Sequence, residues 1–243
     1  MTWTNLEKTI KNVAPGGRYM PGGCTSQWKV AIIVPYRDRE NHLKMFVKNM
    51  HPFLQQQQIY YGIFVIEMPP GLAFNRGLLM NVGFKESSRI HNYNCFIFHD
   101  VDLLPEHIGN IYKCGDFPKH MASAIDTRNY KVYYKHSFGG VNAFTREQFI
   151  RVNGFSTVYF GWGREDDDLY QRCLHANLTM QRLPVRIGRY KNLTHPRATL
   201  AERNSELYKT REDRYVSDGI SNLTYKRIKL EIRPLYTWIL IGI

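Results

Sequence analysis

Within Lys29 to Asp102 the chain alternates between two hydrophobic periods, and this alternation narrows the fold more than any other feature. Lys29 to Pro35, KVAIIVP, is a short, continuous apolar run rich in β-branched residues, the pattern of a strand buried on both faces of a parallel sheet. Residues 40–58 then place Leu43, Phe46, Val47, Met50 and Leu54 at spacings of three and four, as an amphipathic helix does. Tyr61 to Glu67 reads as a second strand, Phe74 to Ile90 as a second helix, and Cys95 to His99 as a third strand. Strand, helix, strand, helix, strand implies right-handed crossovers and a mostly parallel, Rossmann-like α/β sheet flanked by helices. In such sheets ligands bind outside the carboxyl ends of the strands. The loop Tyr36-Arg37-Asp38-Arg39 and the run Asp100-Val101-Asp102 both fall at that edge.

The remainder is less regular. Residues 1–28 are polar and rich in Gly and Pro, which reads as an N-terminal arm before a single domain of residues 29–243. Within it, residues 29–126 read as the nucleotide-binding part and 127–243 as the part that carries the candidate lid. Tyr130 to Ala143 is strand-like and broken at Gly139-Gly140, Arg146 to Val152 and Asp167 to Ala176 are helix-like, and residues 184–217 read as loops that order with ligand. Leu223 to Ile243 closes the chain with strand-like alternation.

Two clusters point to chemistry. An Asp-x-Asp at a strand end, Asp100 and Asp102, offers hard carboxylate oxygens to Mn²⁺ or Mg²⁺ held against a diphosphate. Arg37, Arg39 and Arg76 suit diphosphate oxygens, and His195 is a candidate third metal ligand. The second cluster is Glu165-Asp166-Asp167-Asp168, four acids in succession after Gly161-Trp162-Gly163. Adjacent carboxylates repel one another and their pKa values rise unless a cation, metal or hydroxylated ligand compensates. A solvated helix start would also tolerate them. The glycine-flanked tryptophan suits a lid closing over substrate.

A net charge of +12 predicts anionic partners, whether nucleic acid, phosphorylated small molecules or an anionic membrane or glycan surface. The four cysteines, Cys24, Cys95, Cys114 and Cys173, show no CxxC spacing and so no structural zinc site. Cys95 and Cys114 bracket the Asp-x-Asp loop, either as a disulfide contributing about 3 kcal/mol of loop-closure entropy or as free thiols in a reducing compartment. N-x-T sequons at Asn177, Asn192 and Asn222 lean towards the secretory pathway.

Taken together, AIIVPYRDRENHL, AFNRGLLMNVGF, FIFHDVDLLPE, FGGVNAFTREQFIRVNGF and FGWGREDDDLYQR resemble, in order and separation, the motifs of the animal beta-1,4-galactosyltransferases. The likeness runs from about Gly16 to Ile241. It implies a GT-A catalytic domain that uses Mn²⁺ and a UDP-sugar, inverts the anomeric centre, and works in the Golgi lumen of a type II membrane protein whose anchor is absent from this chain. By the same resemblance Pro35, Tyr36, Arg37, Arg39, Phe74, Arg76, Asp100 and Val101 serve the nucleotide, and Asp102, His195 and Asn192 the metal. Trp162 and Gly163 match the lid, Glu165 and Asp167 the sugar grip, and Asp166 the general base; Ser137, Gly140 and Tyr208 match the sugar pockets. Asp168 is left as the helix-start acid.

Some positions depart from that pattern. Asn192 stands where many members have a methionine ligand, and it serves either as a ligand or as a glycosylated sequon. Ser137 replaces a tyrosine of the galactose-specific enzymes and leaves room for a donor N-acetyl group. Arg164 replaces the glycine of most members, as in the xylosylprotein branch, while Cys24 lacks its usual partner. The expected partners are a UDP-galactose or UDP-GalNAc donor and a GlcNAc-terminated acceptor, with xylose or glucose acceptors as a variant and no nucleic acid. Two further readings are a catalytically silent glycan-binding module and a Mg²⁺-dependent Toprim-type nucleic-acid enzyme, the latter from Glu67, the Asp-x-Asp and the charge.

Overall fold

In the computed structural model, which describes residues 1–196 and 199–243, the alternating pattern builds the centre of the molecule. The elements are α1 (Trp3–Thr9), β1 (Lys29–Tyr36), α2 (Glu40–Gln56), β2 (Tyr60–Glu67), α3 (Arg76–Ile90), β3 (Cys95–His99), β4 (Leu103–Pro105), β5 (Lys119–His120) and β6 (Ala124–Ile125). They continue with β7 (Val141–Thr145), α4 (Arg146–Arg151), α5 (Glu165–His175), β8 (Gln181–Arg182), β9 (Arg189–Asn192), α6 (Glu202–Lys209), β10 (Lys226–Ile232) and β11 (Thr237–Gly242).

An eight-stranded sheet runs β10-β11-β2-β1-β3-β7-β5-β8. β11, β2, β1 and β3 are parallel neighbours, and β10 and β7 attach antiparallel on either side. A smaller sheet, β4-β9-β6, lies beyond the carboxyl end of β3. β1 shows why the centre folds this way. Val30, Ile32 and Val34 join one core beside α2, Ala31 and Ile33 join the other beside α3, and all are fully buried. Both faces of the strand are therefore dry, as its unbroken apolar run requires.

Four expectations change. Within residues 1–28, Trp3–Thr9 is helical, capped by the Thr2 side chain, with Leu6 buried and Trp3 and Ile10 packed on the α2 core. Those three apolar groups fall on one face of a turn that the Gly and Pro content obscures. In the tract 130–143 the strand begins only at Val141, because Asn129 and Tyr130 both adopt left-handed φ values, 50° and 54°, which end any extended run. Residues 184–217 contain β9 and α6, although Arg197 and Ala198 lie outside the described residues. The fourth concerns Asp168 and belongs with the site.

Candidate active site

The carboxyl ends of β1 and β3 meet the first turns of α3 and α5. Arg76 opens α3 and Glu165 opens α5, so two helix N-termini face a shared cluster of acids, where the macrodipole favours negative charge. Arg76 is its hub. Its Nε donates to Asp100 Oδ1 at 2.6 Å and its Nη1 to Asp166 Oδ1 at 2.7 Å, with Glu165 Oε1 at 3.8 Å. Two buried atoms here have no hydrogen-bond partner among the described residues, Arg76 Nη2 and Glu165 Oε2.

Burial pushes Glu165 and Asp100 above the usual carboxylate range against the pull of Arg76, and it pushes Asp166 up to about 8. Asp166 keeps 27% of its side chain open to solvent and Asp100 29%, so both pair reach with a raised proton affinity, and Asp166 is the one set against Gly139.

Gly139 makes room for that carboxylate. An added Cβ there would meet Asp166 Oδ2 at 2.5 Å, so only a residue without one allows the approach. Gly140 follows with φ of +85°, and its carbonyl accepts from the Asp100 amide at 3.1 Å.

At the other end of the Asp-x-Asp, His195 Nε2 lies 2.8 Å from Asp102 Oδ2. His195 Nδ1 lies 2.8 Å from the Pro196 carbonyl and 3.3 Å from Arg39 Nη2, so the ring is held from both sides with Nε2 turned to Asp102. Arg39 Nη1 stands 3.6 Å from the same Asp102 oxygen. β9 pairs with β4, setting Asn192 opposite Leu103, and the Leu193 amide donates to the Asp102 carbonyl at 2.7 Å. Among the described residues no group of three His, Cys, Asp or Glu side chains is disposed to hold a metal ion. A carboxylate, an imidazole nitrogen and a neighbouring amide side chain are nonetheless the oxygen and nitrogen donors that suit Mn²⁺, so the residues fit such an ion. Cys95 and Cys114, expected either joined or free, form a disulfide across this loop.

Residues expected to serve a nucleotide gather at the end of β1. Arg37 lies 5.2 Å over the Phe74 ring and donates to the Leu72 carbonyl at 2.6 Å. Pro35 and Val101 are buried, and burial together with Glu67 pushes the Tyr36 phenol up to about 12. Arg76 itself is occupied by carboxylates here.

Around α5 the remaining acids part company. Asp167 accepts from the Tyr134 hydroxyl and from Arg164 Nη1 at 3.2 Å, and Arg164 also lies 5.3 Å over Tyr208. Trp162 is 54% exposed, its carbonyl accepts from Ala201, and that of Gly163 accepts from Asn204. Ser137 is buried, its carbonyl held by Arg182 at 2.7 Å and its amide donating to the Tyr134 carbonyl at 3.0 Å. Asp168 is not a solvated helix-start acid. It is fully buried, accepts from Arg172 Nε at 2.5 Å and Tyr159 at 2.8 Å, and shares Arg172 with Asp218. Asp218 in turn accepts from the Thr157 amide at 2.9 Å, so this knot fastens the segment before Gly161-Trp162-Gly163. Neither Asp218, Tyr134 nor Gly139 was singled out from sequence.

Residues 1–115 match the model for the N-terminal region of glycosyl transferase group 7, and residues 119–196 match that for the N-terminal domain of galactosyltransferase. The chain belongs to the beta-1,4-galactosyltransferase family. Human beta-1,4-galactosyltransferase 4 is 44% identical over 223 residues, covering 90% of this chain and 65% of the relative. Mouse beta-1,4-galactosyltransferase 1 is 40% identical over 242 residues, covering 98% and 60%. The chain thus spans about three fifths of the length of these relatives. The catalytic domain of Drosophila beta-1,4-galactosyltransferase 7 in complex with xylobiose superimposes with a TM-score of 0.76 at 31% identity, over 88% of this chain and 93% of that one. A mutant of the same Drosophila domain, complexed with manganese, UDP-Gal and xylobiose, gives the same TM-score at 30% identity. The chain therefore has the GT-A glycosyltransferase fold expected from its motifs, and the Toprim-type reading falls away.

Proposed function

We propose that this chain transfers galactose or N-acetylgalactosamine from a UDP-sugar to the 4-hydroxyl of a terminal GlcNAc, with inversion and with Mn²⁺ at Asp102, His195 and Asn192. The observation that carries the reading is Asp166, a partly exposed carboxylate of raised proton affinity set against Gly139 and steered by Arg76. Asp166 takes the proton of the acceptor hydroxyl as that oxygen attacks the anomeric carbon. Glu165 and Asp167 orient sugar hydroxyls, and Arg37 with Phe74 flanks the nucleotide. The ion, when bound, supplies charge neutralisation for the departing diphosphate. Trp162 and its glycines close over the donor and exclude water.

The names of the relatives and the manganese and UDP-Gal bound to the Drosophila domain support this reading. The Golgi lumen as compartment rests on the motif resemblance alone; among the described residues no helix is long and apolar enough to cross a membrane. The small side chain of Ser137 favours GalNAc as a second donor. A donor-by-acceptor assay with and without Mn²⁺, on wild type and Ser137→Tyr, tests both points. Turnover of UDP-Gal or UDP-GalNAc onto GlcNAc is expected, with a shift towards galactose in the variant. No turnover with any GlcNAc, glucose or xylose acceptor would sink the transferase reading, and calorimetric binding of UDP without turnover would leave a silent glycan-binding module.

A further inference from the structure

The surplus of positive charge has so far found no use. Part of it gathers at the mouth of the acceptor side. Residues 127–136, TRNYKVYYKH, join the β4-β9-β6 sheet to the Phe138-Gly139-Gly140 segment and contain no acid. From the cleft outwards the contacts are continuous. Asp167 accepts from the Tyr134 hydroxyl, Tyr134 packs on Tyr133 with ring centroids 5.1 Å apart, and the Arg128 guanidinium lies 3.8 Å over the Tyr133 ring. Arg189 covers Tyr130 in the same way at 3.6 Å.

Arg128, Lys131 and Lys135 are exposed, and among the described residues none of the three has an ion-pair partner. The acids of the adjoining elements are already engaged, Asp126 with Lys191 at 2.7 Å and Glu106 with Arg189 at 3.8 Å. Arg182 holds the loop in place through the Lys135 carbonyl at 2.9 Å. A guanidinium stacked on a ring keeps its in-plane N–H groups directed outwards, ready for a planar or tetrahedral oxyanion. The rings of Tyr130 and Tyr133 carry their own arginines, which suits oxyanion capture better than the open base-stacking faces used for nucleic acid.

We propose that this loop is a subsite for an anionic substituent, a sulfate ester or a carboxylate, on the acceptor sugars beyond the one that reacts. The inference rests on the transferase reading above, and names the class of acceptor that the cleft prefers.

The test compares KM for a neutral GlcNAc-terminated disaccharide with KM for the same disaccharide carrying a sulfate or a carboxylate on the inner sugar. Wild type is expected to show a KM about tenfold lower for an anionic acceptor at low salt, the gap closing as ionic strength rises. The triple variant R128E/K131E/K135E should lose that preference while its KM for the neutral acceptor stays within about twofold of wild type. The sulfate and carboxylate arms tell the two substituents apart. Equal KM values in wild type, or a preference that survives the triple variant, would overturn the subsite. Calorimetric binding of the sulfated disaccharide without donor reads the subsite independently of turnover. Binding by wild type and not by the variant keeps the inference even if no acceptor reacts, whereas absence of binding removes it. Equally tight, variant-sensitive binding of a single-stranded oligonucleotide would mark a general polyanion surface and also overturn it.

Discussion

Arg76 Nη1 donates to Asp166 Oδ1 at 2.7 Å, joining the first turn of α3 to the first turn of α5. Because the same guanidinium also holds Asp100, one cation fixes the distance between the Asp-x-Asp and the proposed base.

Replacing that cation leaves three carboxylates facing one another in a largely dry site. Arg76→Met should cost about 3–5 kcal/mol of stability near pH 8. The loss should shrink towards pH 5, because Asp100, Glu165 and Asp166 are all raised by burial and regain protons as pH falls. Urea unfolding at the two pH values reads the difference. An equal loss at both would mean that packing, not charge, is what Arg76 supplies.

A base must be unprotonated to work. With Asp166 pushed up to about 8, turnover should climb as pH rises through that region and fall away on the acid side. Asp166→Asn should lower kcat by about 10²–10⁴-fold and flatten this limb, with UDP affinity unchanged. Retained activity in the variant removes Asp166 from the role of base.

Gly139→Ala sets a methyl group where an ideal Cβ lies 2.5 Å from Asp166 Oδ2. Displacing the carboxylate by even an ångström should cost about a hundredfold in kcat. Thermal unfolding should change by about 1 kcal/mol or less, so kcat measured beside the melting curve separates misplacement from misfolding.

The neighbouring acid should behave in the opposite way. Asp168→Asn removes the charge paired with Arg172 in a fully buried contact and should destabilise by about 3–5 kcal/mol. The fraction that remains folded should turn over at close to the wild-type rate. Denaturant melts combined with active-site titration would show whether D168N and D166N divide cleanly into stability and catalysis.

Legibility followed the range of the interactions involved. β1, β2 and β3 were readable because a strand dry on both faces needs an unbroken apolar run, and Leu43 to Leu54 because a helix with one buried face needs its spacing. Residues 130–137 misled because Tyr130, Val132 and Tyr134 alternate like a strand, while left-handed backbone at Asn129, which asparagine favours, and at Tyr130, which tyrosine does not, interrupts the extended run. Asp168 looked like its three neighbours; its fate depends on Asp218, fifty residues on in the chain and pressed against Arg172 only in the fold. The motifs assigned Arg76 to the nucleotide, and only coordinates reveal that three acids meet on it.

Asp102 and His195 lie roughly ninety residues apart along the chain yet 2.8 Å apart in space. An ion gripping both would act as a removable staple across that long loop, withdrawing freedom from the unfolded chain as a covalent cross-link does. The disulfide between Cys95 and Cys114 fixes one jaw of that staple permanently, so the reversible part of the closure falls to the segment after β9 that carries His195. For this protein a melting curve recorded against Mn²⁺ concentration would be a direct gauge of how firmly the two halves of the chain are held together.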